Sequence, residues 1–221
     1  TCEALMEKIL HMAAKYLETG GEELEFDGKR VYKLACEADG TRKEITIKDL
    51  ANRVQCANED ALQVTQSHSS PISPPPFMAG AAEVEVDLET GQVELIKFAA
   101  AVDCGTPLNE NLARVQTEGG LVQGIGMALY EDVSYSKDGK VHENSFMQYK
   151  VPSRLDVGRV QVEFESSFEP TGPFGAKSIG EVVINTPSPA IANAVYNAVG
   201  VRIRELPITA EKVFKGMNGL D

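Results

Sequence analysis

The stretch Gly172-Pro-Phe-Gly-Ala-Lys-Ser-Ile-Gly-Glu181 combines three glycines, a proline, one lysine and one carboxylate at its end. A segment with two prolines and then an apolar helix pattern follow it, so the stretch is predicted to be a turn ahead of a helix. Because glycine has no Cβ, such a turn lets its backbone approach a ligand closely. Glu181 can serve there as a general base, or it can form a salt bridge with Lys177. The ten residues alone leave both interpretations open.

A second glycine-rich stretch is predicted to be a helix over residues 111–131. Four glycines lie inside it, at positions 119, 120, 124 and 126. Each glycine costs a helix interior about 1 kcal/mol relative to alanine, so the four together need a reason. Either a neighbouring backbone or a cofactor lies against them, and both explanations stay open. Gln116 precedes the first glycine pair, and its amide can both donate and accept hydrogen bonds, which suits a polar cofactor.

The rest of the chain predicts an α+β domain with mixed or antiparallel sheets and packed helices, because strands and helices are interspersed without strict βαβ alternation. Alternating polar and apolar residues around turn signals predict three hairpins, over 24–34, 82–98 and 133–141. Further extended segments are expected at 145–151 and 159–168. Besides the glycine-rich helix, apolar periodicity predicts helices at 3–18, 49–56, 190–199 and 209–217, the last with Thr209 as its N-cap.

We expect one continuous domain in which two parts have different roles. Residues 1–65 hold no constellation of catalytic residue types and are interpreted as helix and strand scaffold. Residues 66–221 carry both glycine-rich stretches and are interpreted as the cofactor-contacting part. Pro74–Pro76 lie in a loop-like stretch at its start. They favour a stiff connector over a polyproline ligand for a partner domain.

Composition argues against a nucleic-acid-binding protein, a membrane-spanning protein and a metal site built from protein ligands. The net charge of −12 and the pI near 4.8 leave no basic footprint for nucleic acid. No apolar run reaches the roughly 20 residues of a membrane span, and no signal peptide is seen, so a cytoplasmic location is expected. The chain starts at Thr1 inside a helical pattern, and we expect it to be part of a longer protein. Four cysteines without a C-x-x-C pair and three scattered histidines argue against a metal held by protein ligands.

Three common site motifs are excluded. In Gly172–Ser178, Ala176 separates glycine from lysine, which breaks the pattern of a nucleotide P-loop. Gly124 and Gly126 lie in mid-helix without a third glycine, so they are not a dinucleotide fingerprint. The sequence also contains no G-x-S-x-G elbow, which leaves a hydrolase triad without support.

Gly172–Glu181 resembles the C-terminal active-site motif in the large subunit of molybdenum hydroxylases, the xanthine dehydrogenase and aldehyde oxidase family. Further stretches resemble motifs of that family in the same order, namely 82–96, 102–109, 116–126 and 204–213. The resemblance covers most of the chain. It implies an α+β fold that corresponds to part of the second molybdopterin-binding domain of that subunit, truncated at its N-terminus.

The resemblance implies that Glu181 is the general base when an electrophilic carbon is hydroxylated with water-derived oxygen. It assigns contacts with the molybdopterin cofactor to Gln116, Gly119, Gly120, Lys177, Ser178 and Gly180. It assigns no metal ligand to the chain, because the pterin dithiolene holds the molybdenum. Two iron–sulfur clusters of the 2Fe-2S type and FAD are expected on partner domains or subunits, next to the remaining domains of the large subunit.

The expected substrate is xanthine or a related purine, since Ser178 stands where many members have glycine, as in a subgroup of bacterial purine hydroxylases. An aldehyde oxidoreductase or an aromatic-thioester reductase of the same family is the alternative. A non-catalytic module for cofactor binding or subunit interaction is an alternative of another class. These 221 residues alone are expected to be inactive.

Overall fold

A computed structural model describes residues 1–220. They form two compact units, Thr1–Ser69 and a second one that begins at Ser70. The division of roles between 1–65 and 66–221 stays a prediction. Within residues 1–220, no helix is both long enough and apolar enough to cross a membrane.

The first unit is a three-stranded antiparallel sheet with two helices. Its elements are α1 (Cys2–Leu17), a 3₁₀ turn (Gly21–Glu23), β1 (Leu24–Phe26), β2 (Arg30–Lys33), β3 (Glu44–Thr46) and α2 (Ile47–Cys56). Thr46 caps α2 by accepting a hydrogen bond from the Asp49 amide. The predicted hairpin over 24–34 is confirmed. The core of this unit consists of Ile9, Met12, Ala13, Leu24, Val31, Ile45, Leu50 and Val54.

The second unit is built on a mixed three-stranded sheet. Its elements are β4 (Phe77–Val86), β5 (Val93–Asp103), α3 (Glu110–Leu129), β6 (Arg159–Phe164), a 3₁₀ turn (Val182–Ile184), α4 (Pro187–Val199) and α5 (Ala210–Met217). Strand β5 lies in the middle, antiparallel to β4 and parallel to β6. The sheet is therefore mixed, and the predicted α+β class is confirmed.

The core of this unit lies between the sheet and the helices α3, α4 and α5. Its largest fully buried side chains are Leu95, Phe98, Val102, Leu121, Ile125, Val162, Ile191 and Val195. The predicted hairpin over 82–98 and the predicted helices are confirmed, and Thr209 caps α5 through the Lys212 amide. The candidate site lies on the outer side of α3, beside the residues that lead into the 3₁₀ turn Val182–Ile184.

One sequence prediction in this unit is confirmed over a short span, and another is wrong. The segment 133–141 forms a short hairpin that turns at Gly139, with an antiparallel bridge between Tyr135 and Val141 and backbone hydrogen bonds from the Ser136 amide to the Lys140 carbonyl and from the His142 amide to the Ser134 carbonyl. Its apolar side chains are exposed, and a two-stranded ribbon without a packed face is marginal in water. The segment predicted to be extended from residue 145 instead turns back, with the amides of Gln148 and Tyr149 bonded to the Ser145 carbonyl.

Candidate cofactor cleft

Helix α3 has one face in the core and one face in solvent. Its N-cap Asn109 accepts a hydrogen bond from the Leu112 amide, which fixes where the helix begins. On the outer face, Leu112 and Val115 are each 67% exposed although both are apolar. Gln116, Gly119 and Gln123 lie on the same exposed face. The apolar residues that predicted a single face are therefore divided between two: Leu121 and Ile125 lie in the core, whereas Leu112 and Val115 lie on the exposed face.

The four glycines of α3 differ in what surrounds them. A Cβ at Gly120 would stand 2.1 Å from Val183 Cγ2, and one at Gly124 would stand 2.7 Å from Pro187 Cγ. At Gly126 the neighbours are Glu131 and Pro152. These three positions are glycine because other elements pack against them. At Gly119, in contrast, nothing lies within 4 Å, so packing within the described residues does not explain this glycine.

The segment that includes Gly172–Glu181, called here the glycine loop, folds back on itself before it reaches α4. Gly172 donates to the Glu169 carbonyl, and Gly175 donates to the carbonyl of Gly172. Both Phe174 and Gly175 have positive φ angles, of 55° and 83°. Only glycine adopts that conformation without steric cost, which explains why glycine stands at position 175. The turn therefore follows from its sequence.

Lys177 does not pair with Glu181. Its ammonium group lies 2.6 Å from the Asp103 carboxylate at the end of β5, and the side chains of Lys177 and Asp103 are only 9% and 21% exposed. The Lys177 amide donates to the Cys104 carbonyl at 2.7 Å, so the backbone N–H at this position is engaged as well. The salt-bridge interpretation of Glu181 is thus wrong, and Lys177 joins the glycine loop to the strand.

Asp103 is held by three donors. Lys177 is the strongest, and the Ser167 hydroxyl and the Gly105 amide donate to the other carboxylate oxygen at 2.6 and 2.9 Å. These donors favour the charged carboxylate and lower the pKa of Asp103 from 3.8 to about 2. The ion pair is therefore charged throughout the physiological range of pH.

Glu181 lies on an open cleft of about 620 Å³ between the glycine loop and the outer face of α3, called here the α3 cleft. Gln116, Gly119, Gly120 and Gln123 line its α3 side, and Gly180 and Glu181 line its loop side. Gln116 Nε2 donates to the Gly180 carbonyl at 3.4 Å and so bridges the two sides. Five of the seven predicted site residues thus meet in one cleft.

Two predicted site residues lie elsewhere. Ser178 and Lys177 both line a separate cavity of about 570 Å³. The proline-rich segment that starts at Ser70 lines the same cavity. Sequence reasoning also missed residues: Asn185 lines the α3 cleft, and Asp103 anchors the glycine loop. The only signal for Asp103 was its place in the stretch 102–109, because its partner is 74 positions away. Within residues 1–220, no three of His, Cys, Asp and Glu are grouped to hold a metal ion.

Residues 1–158 match a family model described as "Molybdopterin cofactor-binding domain". Over 217 residues the chain is 33% identical to "Probable hypoxanthine oxidase XdhD" of Escherichia coli K12, which covers 97% of this chain. The chain belongs to the molybdenum hydroxylase family. The predicted recognition is confirmed, and the family includes molybdenum-binding subunits of xanthine dehydrogenases and aldehyde oxidoreductases.

Two further comparisons extend the match over the glycine loop, which lies beyond the family model. The "Nicotine 6-hydroxylase large subunit" of Paenarthrobacter nicotinovorans is 30% identical over 230 residues and covers 98% of this chain. The crystal structure of quinoline 2-oxidoreductase from Pseudomonas putida 86 superposes with a TM-score of 0.74 and 25% identity over 99% of this chain. This molybdenum hydroxylase chain spans only 22%, 27% and 29% of the lengths of the three relatives named here.

Proposed function

We propose that this chain forms one wall of the active site of a molybdopterin-dependent hydroxylase, with Glu181 as the general base. The observation that carries the proposal is the α3 cleft. Gln116 and Gly180 lie 64 positions apart and belong to two stretches that were each singled out in the sequence, yet they meet there beside Glu181. A carboxylate on the edge of a polar cleft is placed to exchange a proton with a bound molecule.

The residues of the α3 cleft fit a pterin. Gly119 and Gly180 have nothing within 4 Å of a Cβ position, so a flat ligand can approach the backbone at both points. Three amides, from Gln116, Gln123 and Asn185, line the same space. Amide groups donate and accept, which matches the mixed donor and acceptor edges of a pterin. Gln116, Gly119, Gly120 and Gly180 would therefore hold the cofactor, whereas Lys177 and Ser178 line a different cavity.

The molybdenum cofactor, when bound, supplies the two-electron acceptor and the activation of water that hydroxylation of a carbon requires. Glu181 takes up the proton of the water-derived nucleophile on a carboxylate oxygen. The glycine loop holds this carboxylate at the cleft, and Gln116 fixes the Gly180 carbonyl beside it. The exposed apolar side chain of Val115 lines the cleft and would exclude water once another wall covers it.

We propose an N-heterocycle, and within that class a purine, as the substrate of the whole protein. The relatives that support this class are the hypoxanthine oxidase and the nicotine 6-hydroxylase. The aldehyde and thioester alternatives belong to the same family, whose members include an aldehyde oxidoreductase subunit. The large subunit among these relatives also supports partner subunits, on which we place the iron–sulfur clusters and FAD.

The decisive experiment replaces Glu181 by Gln in the intact enzyme. The amide has nearly the same shape but cannot take up a proton at neutral pH, so kcat should fall by about a hundredfold or more while molybdenum content stays near normal. The matched control is Glu165→Gln, an exposed carboxylate in the same unit that does not line the α3 cleft. Turnover of Glu181→Gln close to that of the control would refute the assignment.

Substrate class is tested on the same preparation. Xanthine, nicotinate and a set of aldehydes are added to the oxidised enzyme, and the bleaching of its absorption spectrum is followed. Reduction by the heterocycles alone supports the proposal, and reduction by aldehydes alone replaces it with the aldehyde alternative. A non-catalytic module would show tight pterin binding and no bleaching with any of these compounds.

A further inference from the structure

The last part of the glycine loop connects two positions that are each held by contacts with the rest of the unit. These positions are called here the two fixed points. The first is Lys177, which is bonded to the end of β5 through both its side chain and its amide. The second is the 3₁₀ turn Val182–Ile184, where the fully buried Val183 packs against Gly120. Only residues 178–181 lie between these points, so the place of Glu181 depends on both.

Among those four residues, only the half-buried Ile179 packs against the core. Within the part of the chain that the structure describes, no amide of residues 178–181 donates a backbone hydrogen bond. Their one bond across the cleft is the 3.4 Å contact from Gln116 to the Gly180 carbonyl, which is long. Because the amides of this segment donate no backbone hydrogen bonds, the contacts at its two ends determine its orientation.

The first fixed point depends on a charge pair whose geometry is closely defined. One oxygen of Asp103 accepts from Ser167 and Gly105, which leaves the other to accept from Lys177 at 2.6 Å. The Lys177 ammonium also lies 5.3 Å from the centre of the Phe77 ring, on the strand next to β5. A lysine side chain with two converging partners, the Asp103 carboxylate and the Phe77 ring, has few alternative rotamers.

The turn that follows β5 packs closely against the backbone of the glycine loop. Gly105 has a φ of 68°, and a Cβ there would stand 2.3 Å from the Gly175 carbonyl oxygen. Thr106 donates to that same carbonyl at 2.8 Å. The turn at 103–106 and the glycine loop are therefore in direct backbone contact, and the Asp103–Lys177 pair closes this contact at the end nearest to Glu181.

We propose that Asp103 and Lys177 are positioning residues, whose ion pair sets the location of the Glu181 carboxylate at the α3 cleft. The inference rests on the proposed function of Glu181. Neither residue lines that cleft, so both act through the short span 178–181 rather than on the cofactor or the substrate.

The test uses the intact enzyme with Lys177→Met, which keeps the apolar stem and removes the charge, and with Lys177→Arg, which restores it. Lys215→Met is the matched control, because it removes a lysine that pairs with Glu211 at 2.9 Å in α5. Four quantities are measured: kcat, KM, molybdenum content, and hydrogen exchange of the peptide that spans 173–186 in the enzyme without substrate.

For Lys177→Met we expect kcat to fall by about ten- to a hundredfold, because a small displacement of a catalytic group is enough for such a loss. KM and molybdenum content should stay within about twofold, since binding groups are untouched. Hydrogen exchange of the Lys177 amide, which donates to the Cys104 carbonyl, should accelerate. Lys177→Arg should keep most of kcat, and the control should match the wild type in every quantity.

Two outcomes overturn the inference: an unchanged kcat in Lys177→Met, or a loss of kcat that follows a parallel loss of molybdenum, which would make Lys177 merely structural. If Lys177→Met does not fold, Asp103→Asn replaces it, since the amide oxygen still accepts from Ser167 and Gly105, and the same criteria apply. Glu181→Gln is assayed alongside. Full turnover in that variant refutes the proposed function itself, whereas its inactivity with a fully active Lys177→Met refutes only the positioning role.

Discussion

Two glycine-rich segments line the α3 cleft, and they are held in place by different forces. In α3, Gly120 and Gly124 admit Val183 and Pro187, so apolar packing fixes the helix. The glycine loop instead depends on polar contacts, with the Asp103–Lys177 pair and backbone hydrogen bonds to the end of β5. Each segment leaves one glycine open, Gly119 and Gly180, and both face the cleft. In these two segments most of the glycines are thus structural, and the two with empty surroundings line the α3 cleft.

The largest expected effect breaks the apolar packing. Gly120→Ala places a Cβ 2.1 Å from a methyl group of the fully buried Val183 and should destabilise the protein by about 1 to 3 kcal/mol. Urea unfolding measures the change. The double variant Gly120→Ala/Val183→Ala should cost less than the sum of the two single changes, because the new methyl group fills part of the space that valine leaves. Additive losses would show that Val183 is not the neighbour that demands glycine.

Local sequence signals predicted most of the second unit and none of its long-range pairing. Turn residues and alternation located the β4–β5 hairpin, and the N-cap Thr209 located the start of α5, because these signals act over a few residues. The parallel pairing of β5 with β6 was not predicted, since nothing in 159–164 specifies its partner. Five of the residues that the resemblance assigned to the site meet in the α3 cleft, while the partner of Lys177 was missed because Asp103 is remote in sequence.

A second prediction uses pH to distinguish the ion pair that holds the glycine loop from the apolar packing that holds α3. The pKa of Asp103 is lowered to about 2 in the folded protein, below its usual 3.8. Its pair with Lys177 therefore contributes stability that is complete above about pH 4 and is lost as the pH falls toward 2. Asp103→Asn should lower the free energy of unfolding by about 1 to 2 kcal/mol at pH 7, after allowance for partial solvent screening.

The pH series itself is the control for that prediction. The difference between Asp103→Asn and the wild type should narrow steadily below about pH 4, because the wild-type carboxyl becomes protonated there and loses its charge. The difference for Gly120→Ala should not change over the same range, since no titrating group takes part in that contact. A constant Asp103→Asn difference would mean that the glycine loop is held by its backbone contacts alone.

The smallest expected effect on stability concerns the open glycine of α3. Gly119→Ala adds a methyl group where nothing lies within 4 Å, so the helix should gain up to about 1 kcal/mol from the better helix former. If the cofactor lies against the backbone here, the same methyl group should lower the molybdenum and pterin content of the purified enzyme, which metal analysis and pterin fluorescence measure. A variant that is more stable yet poorer in cofactor would separate Gly119 from its neighbour Gly120, whose replacement should cost stability first. Unchanged cofactor content would instead place the pterin away from this turn of α3 and confine its contacts to the glycine loop.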